Sequence, residues 1–310
     1  MKDTSHLQTL RDWLRFACSR FREAGLYYGH GTDNAWDEAL ALILHALFLP
    51  MDLHPPMLDA RLTDEECKKV ARLIVRRVEE RIPVPYLNQE AWFAGLSFYV
   101  DERVLIPRSS LGELIQNQFE PWIQPDNIHR VLDLCTGSGC IAIAIAEAYP
   151  AAQIDASDLS EEALAVAKIN LSRHQKEDQI TLYQSDVFTG LPSQKYDLII
   201  SNPPYVDAED MAALPPEYRH EPALGLAAGS DGLDIAVKIL QQAANWLTPE
   251  GHLIVEVGNS EAALAEKYPE IPFTWLDFEH GEGGVFMLTA ADLRQSPGRP
   301  QVATVSQSES

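Results

Sequence analysis

131-VLDLCTGSGCIA-142 is an apolar strand that runs through a glycine pair into a helical stretch. Gly137 and Gly139 stand at the strand-to-helix turn, where glycine lets the backbone turn tightly and lets a ligand approach. From the glycines alone two readings stay open. One is a plain structural turn; the other is a ligand loop, because Gly137-x-Gly139-x-x-Ala142 also fits a dinucleotide-binding fingerprint with Ala in third place.

The flanking sequence repeats the alternation. Candidate strands are 130-RVLDLC-135, 152-AQIDASD-158, 180-ITLYQSD-186, 196-YDLIISN-202, 252-HLIVEVG-258 and 283-GGVFMLT-289. Helical stretches Ile141–Ala148, Glu161–Ser172 and Leu233–Leu247 lie between them. Continuous apolar strands separated by helices predict an α/β domain with a parallel sheet covered on both faces.

Three carboxylates favour the ligand reading. Asp133 lies in the first strand, Asp158 ends the second and Asp186 ends the third. Asp158 is placed to accept bonds from two ribose hydroxyls and Asp186 from an adenine amino group. Asp158-Leu159-Ser160-Glu161 is also a partial helix cap, but three acids at successive strands exceed what capping requires. This is the pattern of an S-adenosylmethionine site in a Rossmann-like methyltransferase fold. Asp133 is suited to the methionine end, directly or through water, and Phe188 to packing on the adenine face.

The fourth strand delivers 202-NPPY-205 to the carboxyl end of the sheet. Pro203 and Pro204 stiffen the backbone and remove two N–H donors. The Pro203 carbonyl and the Asn202 side-chain amide are left as acceptors, with Tyr205 as an aromatic face. That set suits methylation of a planar, weakly nucleophilic nitrogen: two acceptors bind its N–H groups, orient its lone pair and stabilise the positive charge that develops on it.

Asn-Pro-Pro-Tyr after the fourth strand resembles the amino-group methyltransferases, among them the N(6)-adenine DNA enzymes and the protein N(5)-glutamine enzymes. The layout of about residues 1 to 290 resembles the glutamine branch: helical N-domain, hairpin, glycine loop, Asn-Pro-Pro-Tyr, then 221-EPALGLAAGSDGLD-234. Within it, 107-PRSSLGELI-115 is similar to the type that modifies large-subunit ribosomal protein L-three, where Pro-Arg-Ser-Pro is usual. The release-factor type carries Pro-Arg-Pro-Glu-Thr-Glu there. Ser110 and Gly112 depart slightly from the first pattern, while 93-FAGLSFYVDERVLIPR-108 and 131-VLDLCTGSGCIAI-143 also look like it.

The resemblance implies an enzyme that transfers a methyl group from S-adenosylmethionine to a glutamine side-chain nitrogen. Asp133, Cys135, Thr136, Gly137, Ser138, Gly139, Asp158, Asp186, Phe188 and Asn202 would contact the cofactor. Asn202, Pro203, Pro204 and Tyr205 would hold the glutamine amide, with Asn202, Pro203 and Tyr205 catalytic. Arg108 and Ser109 would close over the methionine end. Glu221 would line the substrate pocket, although Pro222 makes a plain turn an equal reading of that segment. Three other classes stay in view: a nucleic-acid adenine methyltransferase acting on a flipped base, a silent binding module with a retained cofactor pocket, and a dinucleotide oxidoreductase.

Residues 1–85 read as a helical domain. Leu7–Phe21 and Ala35–Phe48 have helical periodicity, and Thr63-Asp64-Glu65-Glu66 is a capping box followed by apolar Val70, Leu73, Ile74, Val78 and Ile82. 82-IPVPYL-87 breaks that helix. Residues 86–123 read as a β-hairpin in 90-EAWFAGLSFYVDERVLIPR-108 and a helix from Ser109 or Ser110 to about Trp122. Residues 124–294 form the methyltransferase domain, and 295–310 a disordered tail.

The 310 residues carry 24 Lys and Arg against 46 Asp and Glu, a formal charge of −22. Residues 1–90 hold 12 against 14, and residues 91–310 hold 12 against 32. The acidity therefore sits on the catalytic part, which disfavours a bare nucleic-acid target and favours a basic protein partner, such as an unassembled ribosomal protein. Cys18, Cys67, Cys135 and Cys140 form no CxxC pair, and no Cys/His spacing suggests a metal site. Reduced cysteines, and no apolar signal or membrane-spanning run, make a cytoplasmic location the expectation.

Overall fold

A computed structural model describes residues 4–279 and 283–295. The chain opens with helices α1 (Leu10–Glu23), α2 (Ala35–Ala46) and α3 (Asp64–Val75). α1 starts three residues later than its periodicity suggests because Thr9 is its N-cap, bonded reciprocally to Asp12. Leu10, Trp13, Leu14, Ala17 and Phe21 are its buried stripe, packed on α2 and α3 around a core of their own. α2 is capped by Asn34 and ends at Ala46, two residues short of expectation, so that Phe48 is left 89% exposed. The Thr63–Glu66 capping box opens α3. Its last turn widens into a π-helical stretch, Arg76–Glu80, which carries Arg77 inward. 82-IPVPYL-87 interrupts the helix as expected, but Pro85 then sits in the first turn of a short helix, α4 (Val84–Asn88).

Strands β1 (Ala91–Phe93) and β2 (Leu96–Phe98) form the expected hairpin, turned by left-handed Ala94 and Gly95. The helix that follows, α5 (Leu111–Gln116), is much shorter than read from the sequence. Gln118 and Phe119 take left-handed conformations and Pro121 lacks the N–H a helix needs, so the chain leaves the helix well before Trp122.

The sheet is built from β3 (Arg130–Leu134), β4 (Gln153–Asp158), β5 (Ile180–Gln184), β6 (Tyr196–Ser201), β7 (Leu247–Glu256), β8 (Thr274–Trp275) and β9 (Val285–Thr289), in the order β5-β4-β3-β6-β7-β9-β8. The first five strands in this order are parallel. β9 runs antiparallel to its neighbours β7 and β8, which corrects the all-parallel expectation: β9 pairs back on β7 instead of arriving by a crossover helix. α6 (Cys140–Ala148) and α7 (Glu161–His174) connect β3, β4 and β5. α8 (Ala208–Ala213), α9 (Asp234–Gln242) and α10 (Glu261–Lys267) follow β6 and β7, and α11 (Ala290–Gln295) closes the described chain. Where one helix was expected to Leu247, α9 ends at Gln242 and one 3₁₀ turn leads into β7.

Period-two alternation distributes the sheet between two cores. Val131, Leu198, Ile200, Val285 and Met287 face one, and Leu132, Leu134, Ile199, Phe286 and Leu288 face the other. Each fully buried aliphatic side chain contributes about 1.5–3 kcal/mol. The α/β class is as expected. From β3 the chain steps through β4 to β5 on one side, then returns to place β6 on the other side of β3. β3 and β6 therefore flank the topological switch point, where open α/β sheets bind ligands. No helix among the described residues is long and apolar enough to cross a membrane. The tail, expected to be disordered, lies outside the described residues beyond Gln295.

Candidate active site

The switch point holds two adjoining spaces. An inner cleft is lined by Cys135 and Gly137 of the glycine loop, Asp158, Asp186, Asn202 and Pro204, with Leu105, Leu159, Val187 and Ile235 as apolar walls. An outer cavity of about 770 Å³ is lined by Arg108, Ser109, Asn202, Pro203, Tyr205, Tyr218 and Glu256. Asn202 belongs to both. The Asn-Pro-Pro-Tyr loop thus divides the two spaces, with Pro204 toward the inner and Pro203 and Tyr205 toward the outer.

The glycine loop is braced from beneath. Asp133 is fully buried, and its Oδ2 accepts from Thr136 Oγ (2.5 Å) and from the Ala142 N–H (3.1 Å). Burial pushes its carboxyl up to about 7 against these two bonds. Asp133 lines neither space; its Oδ1 is buried without a partner among the described residues, which leaves one acceptor for a bound molecule or water. Thr136 and Ser138 are buried on the inner side of the loop. Gly139 has φ 80°, and a Cβ there would lie 3.3 Å from Ala167 Cβ, so it serves close packing of the loop on α7. Only Cys135 and Gly137 of the five loop residues reach the cleft.

Asp158 sits across the cleft mouth and accepts from Gly137 N (2.9 Å) and Ser160 N (2.9 Å). The Leu159 backbone adds a further hydrogen bond to the same carboxylate. Burial raises its carboxyl despite these bonds. Asp186 lines the cleft and pairs with Lys238 at 3.3 Å. Phe188 is placed differently from the sequence reading. Val187 has φ 52°, which turns its own side chain to the cleft and sends Phe188 into the core, 2% exposed and stacked on Trp246 at 5.3 Å. Val187, not Phe188, therefore joins Leu105, Leu159 and Ile235 in the apolar lining of the cleft.

Glu221 also departs from expectation. It does not line the outer cavity but stands behind it, accepting from Arg108 Nη1 (2.6 Å) and Nη2 (2.8 Å) and from the Ile106 N–H (3.0 Å). His30 Nε2 lies 3.4 Å away. Burial alone would raise this carboxyl; contact with His30 and Arg108 reverses that and holds it at about 2. Arg108, steered by this fork, lies over the Tyr218 ring at 5.2 Å.

The loop between α1 and α2 contributes one wall of the outer cavity. Tyr27, Tyr28, Gly29, Thr32 and Asp33 line the outer cavity. Buried Arg77 binds Glu38 (2.6 Å), the Tyr27 carbonyl (2.9 Å) and Glu217 (3.4 Å), and Arg81 reaches Glu217 at 3.2 Å. Glu217 belongs to the segment after the Asn-Pro-Pro-Tyr loop, so these pairs fasten that segment to the helical part. Glu256 was missed altogether, although a lone carboxylate inside the apolar stretch 252-HLIVEVG-258 was a signal for it.

A mostly parallel sheet with a glycine loop and Asn-Pro-Pro-Tyr on the two strands beside its switch point defines a methyltransferase. In agreement, the family model described as "Methyltransferase small domain" matches residues 118–214. The ribosomal protein uL3 glutamine methyltransferase of Neisseria gonorrhoeae is 54% identical over 288 residues, covering 93% of this chain and 96% of that protein. Its counterpart in Neisseria meningitidis serogroup A is 54% identical, covering 93% and 95%. A solved methyltransferase from Pyrococcus furiosus aligns with 74% of this chain and 99% of its own, at 14% identity and a TM-score of 0.46. The chain belongs to the family of ribosomal protein uL3 glutamine methyltransferases.

Proposed function

We propose that this chain transfers a methyl group from S-adenosylmethionine to the side-chain nitrogen of a glutamine in ribosomal protein uL3. The observation that carries this reading is the position of Asn202 on the wall shared by the inner cleft and the outer cavity. The inner cleft fits a nucleoside cofactor on three counts. Asp158 lines the cleft as an acceptor for a ribose hydroxyl, Leu159, Val187 and Ile235 offer apolar walls for a planar base, and a Cβ at Gly137 would meet nothing within 4 Å, so the backbone there faces open space. When bound, S-adenosylmethionine supplies an electrophilic methyl group.

The remaining work belongs to the protein. Asn202 Oδ1 and the Pro203 carbonyl accept the two amide N–H groups, which fixes the nitrogen and aims its lone pair at the inner cleft. As positive charge grows on nitrogen, the same oxygens are already oriented toward it and need no reorganisation. Tyr205 flanks the planar group. No base has to act first, because the amide proton becomes acidic only as the new bond forms. Asp158→Asn is expected to weaken S-adenosylhomocysteine binding about 10- to 100-fold, read by calorimetry, since one charge-assisted bond is worth about 1.5–3 kcal/mol.

The acidic catalytic part favours a free, basic uL3 in the cytoplasm over bare RNA. Transfer from tritiated cofactor is expected to label purified uL3, and to slow as salt rises. Label confined to nucleic acid, or equal rates on assembled large subunits and at all salt concentrations, would contradict this reading.

A further inference from the structure

Glu256 is 5% exposed, ends the strand next to β6, and divides its two oxygens between separate parts of the site. Oε2 accepts from Ser109 Oγ at 2.5 Å, and Oε1 accepts from the Tyr205 hydroxyl at 3.3 Å. Ser109 Oγ in turn accepts the Leu111 N–H at 3.1 Å, which ties this contact to the start of α5. The segment after Glu256 also grips Tyr205. Ser260 Oγ donates to the Tyr205 carbonyl at 3.1 Å. Gly258, with φ 46°, lies against the ring, where a Cβ would stand 2.6 Å from Tyr205 Cε2. Residues 256–260 thus touch the hydroxyl, the ring and the backbone of the tyrosine that flanks the proposed amide site.

A buried carboxylate is costly unless its bonds repay it. Here burial raises the Glu256 carboxyl against bonds from Ser109, Tyr205 and the Ser110 backbone and the field of Arg108, whose own charge is engaged by Glu221. A group of ordinary packing value would be apolar at this position, as Ile254 and Val255 are. The strand instead places an acceptor where the outer cavity meets the linking segment and the Asn-Pro-Pro-Tyr loop.

We propose that Glu256 is a positioning residue for methyl transfer, which fixes Tyr205 and latches Ser109 to it so that the target amide meets one rigid wall. The inference rests on the glutamine-methylation reading and assigns Glu256 no direct contact with the reacting atoms. Its loss removes the acceptor shared by the Tyr205 hydroxyl and Ser109 Oγ and so loosens the wall that meets the target amide, and the effect falls on turnover rather than on cofactor binding.

The test measures kcat and KM on purified unmethylated uL3, with S-adenosylhomocysteine affinity by calorimetry, for wild type, Glu256→Ala, Glu256→Gln, Tyr205→Phe and the double variant Glu256→Ala/Tyr205→Phe. Glu256→Ala is expected to lower kcat roughly 30- to 100-fold with cofactor affinity within about threefold. Glu256→Gln, which keeps an acceptor and the side-chain volume, is expected to restore most of that loss. The double variant should be about as slow as the slower single one, because both remove the same contact. Multiplying losses in the double variant, an equal defect in Glu256→Gln, or a Glu256→Ala turnover within about threefold of wild type would overturn the positioning role. An inactive wild type would instead overturn the uL3 reading on which it rests.

Discussion

Replacing Asn202 by alanine is expected to lower kcat on uL3 by about 10²- to 10³-fold while S-adenosylhomocysteine binds within about threefold as before. The asymmetry follows from where the residue stands. Asn202 lines both spaces, but the inner cleft keeps Asp158, Asp186, Gly137 and its apolar walls when the amide is gone. The amide nitrogen loses one of its two proposed acceptors, and its lone pair is no longer aimed. An interaction that strengthens as charge develops lowers the barrier itself, and its removal is worth roughly 3–4 kcal/mol in comparable sites. Asn202→Asp would keep the acceptor and add charge, so retention of more turnover in Asp than in Ala is the expected order. Near-normal kcat in Asn202→Ala would remove the basis for the mechanism.

Glu221→Gln is expected to destabilise the protein by about 3 kcal/mol at pH 7, since it breaks one side of a buried ion pair. Arg108 would keep its position over Tyr218 with a neutral partner, and the Ile106 N–H would still find an acceptor. The pH dependence carries a sign. The folded carboxyl is held at about 2, below the ordinary 4.5. Its contribution is therefore complete above the unfolded value and disappears as pH falls through the folded one. Denaturant unfolding of wild type and variant should show a gap that shrinks by about half or more between pH 7 and pH 3. A gap that stays constant over this range would mean that the pair is not the source of the difference.

The features legible in the sequence were those encoded locally. The apolar strand into Gly137 and Gly139, the Thr63–Glu66 capping box and the Ala94–Gly95 turn each involve neighbours a few residues apart. The Asn-Pro-Pro-Tyr loop was legible because two prolines and a preceding apolar strand define its backbone without outside help. What escaped was decided by distant contact. Glu221 could be assigned to a pocket or a turn, but its partner Arg108 is 113 residues away. Glu256 meets Ser109 across 147 residues. Phe188 lies in the core instead of the cleft because Val187 before it is left-handed, and a strand period cannot anticipate that. The two-residue β8 is too short to carry a period at all, and its existence depends on β9. The N-terminal wall of the outer cavity depends on Arg77, whose inward turn comes from a π-helical stretch rather than from the regular helix the spacing predicts.

The charge asymmetry gains a location from the fold. Residues 91–310, which carry nearly all the excess acid, line the cleft and most of the outer cavity, so on the proposed reading a basic substrate would be drawn toward the site itself. The N-terminal part, close to neutral, meets the outer cavity through Tyr27, Tyr28 and Thr32 as well as through Asp33.

If the Asn-Pro-Pro-Tyr loop holds the glutamine side chain as proposed, methyl transfer to uL3 falls on that side-chain nitrogen. Tandem mass spectrometry of purified uL3, incubated with the enzyme and S-adenosylmethionine, tests it most directly. The expected result is one added methyl group, localised to a glutamine side-chain amide and formed at least about 100-fold more slowly with Asn202→Ala. A methyl group on any other atom type, or an unmodified uL3 under conditions where the cofactor binds, would contradict it.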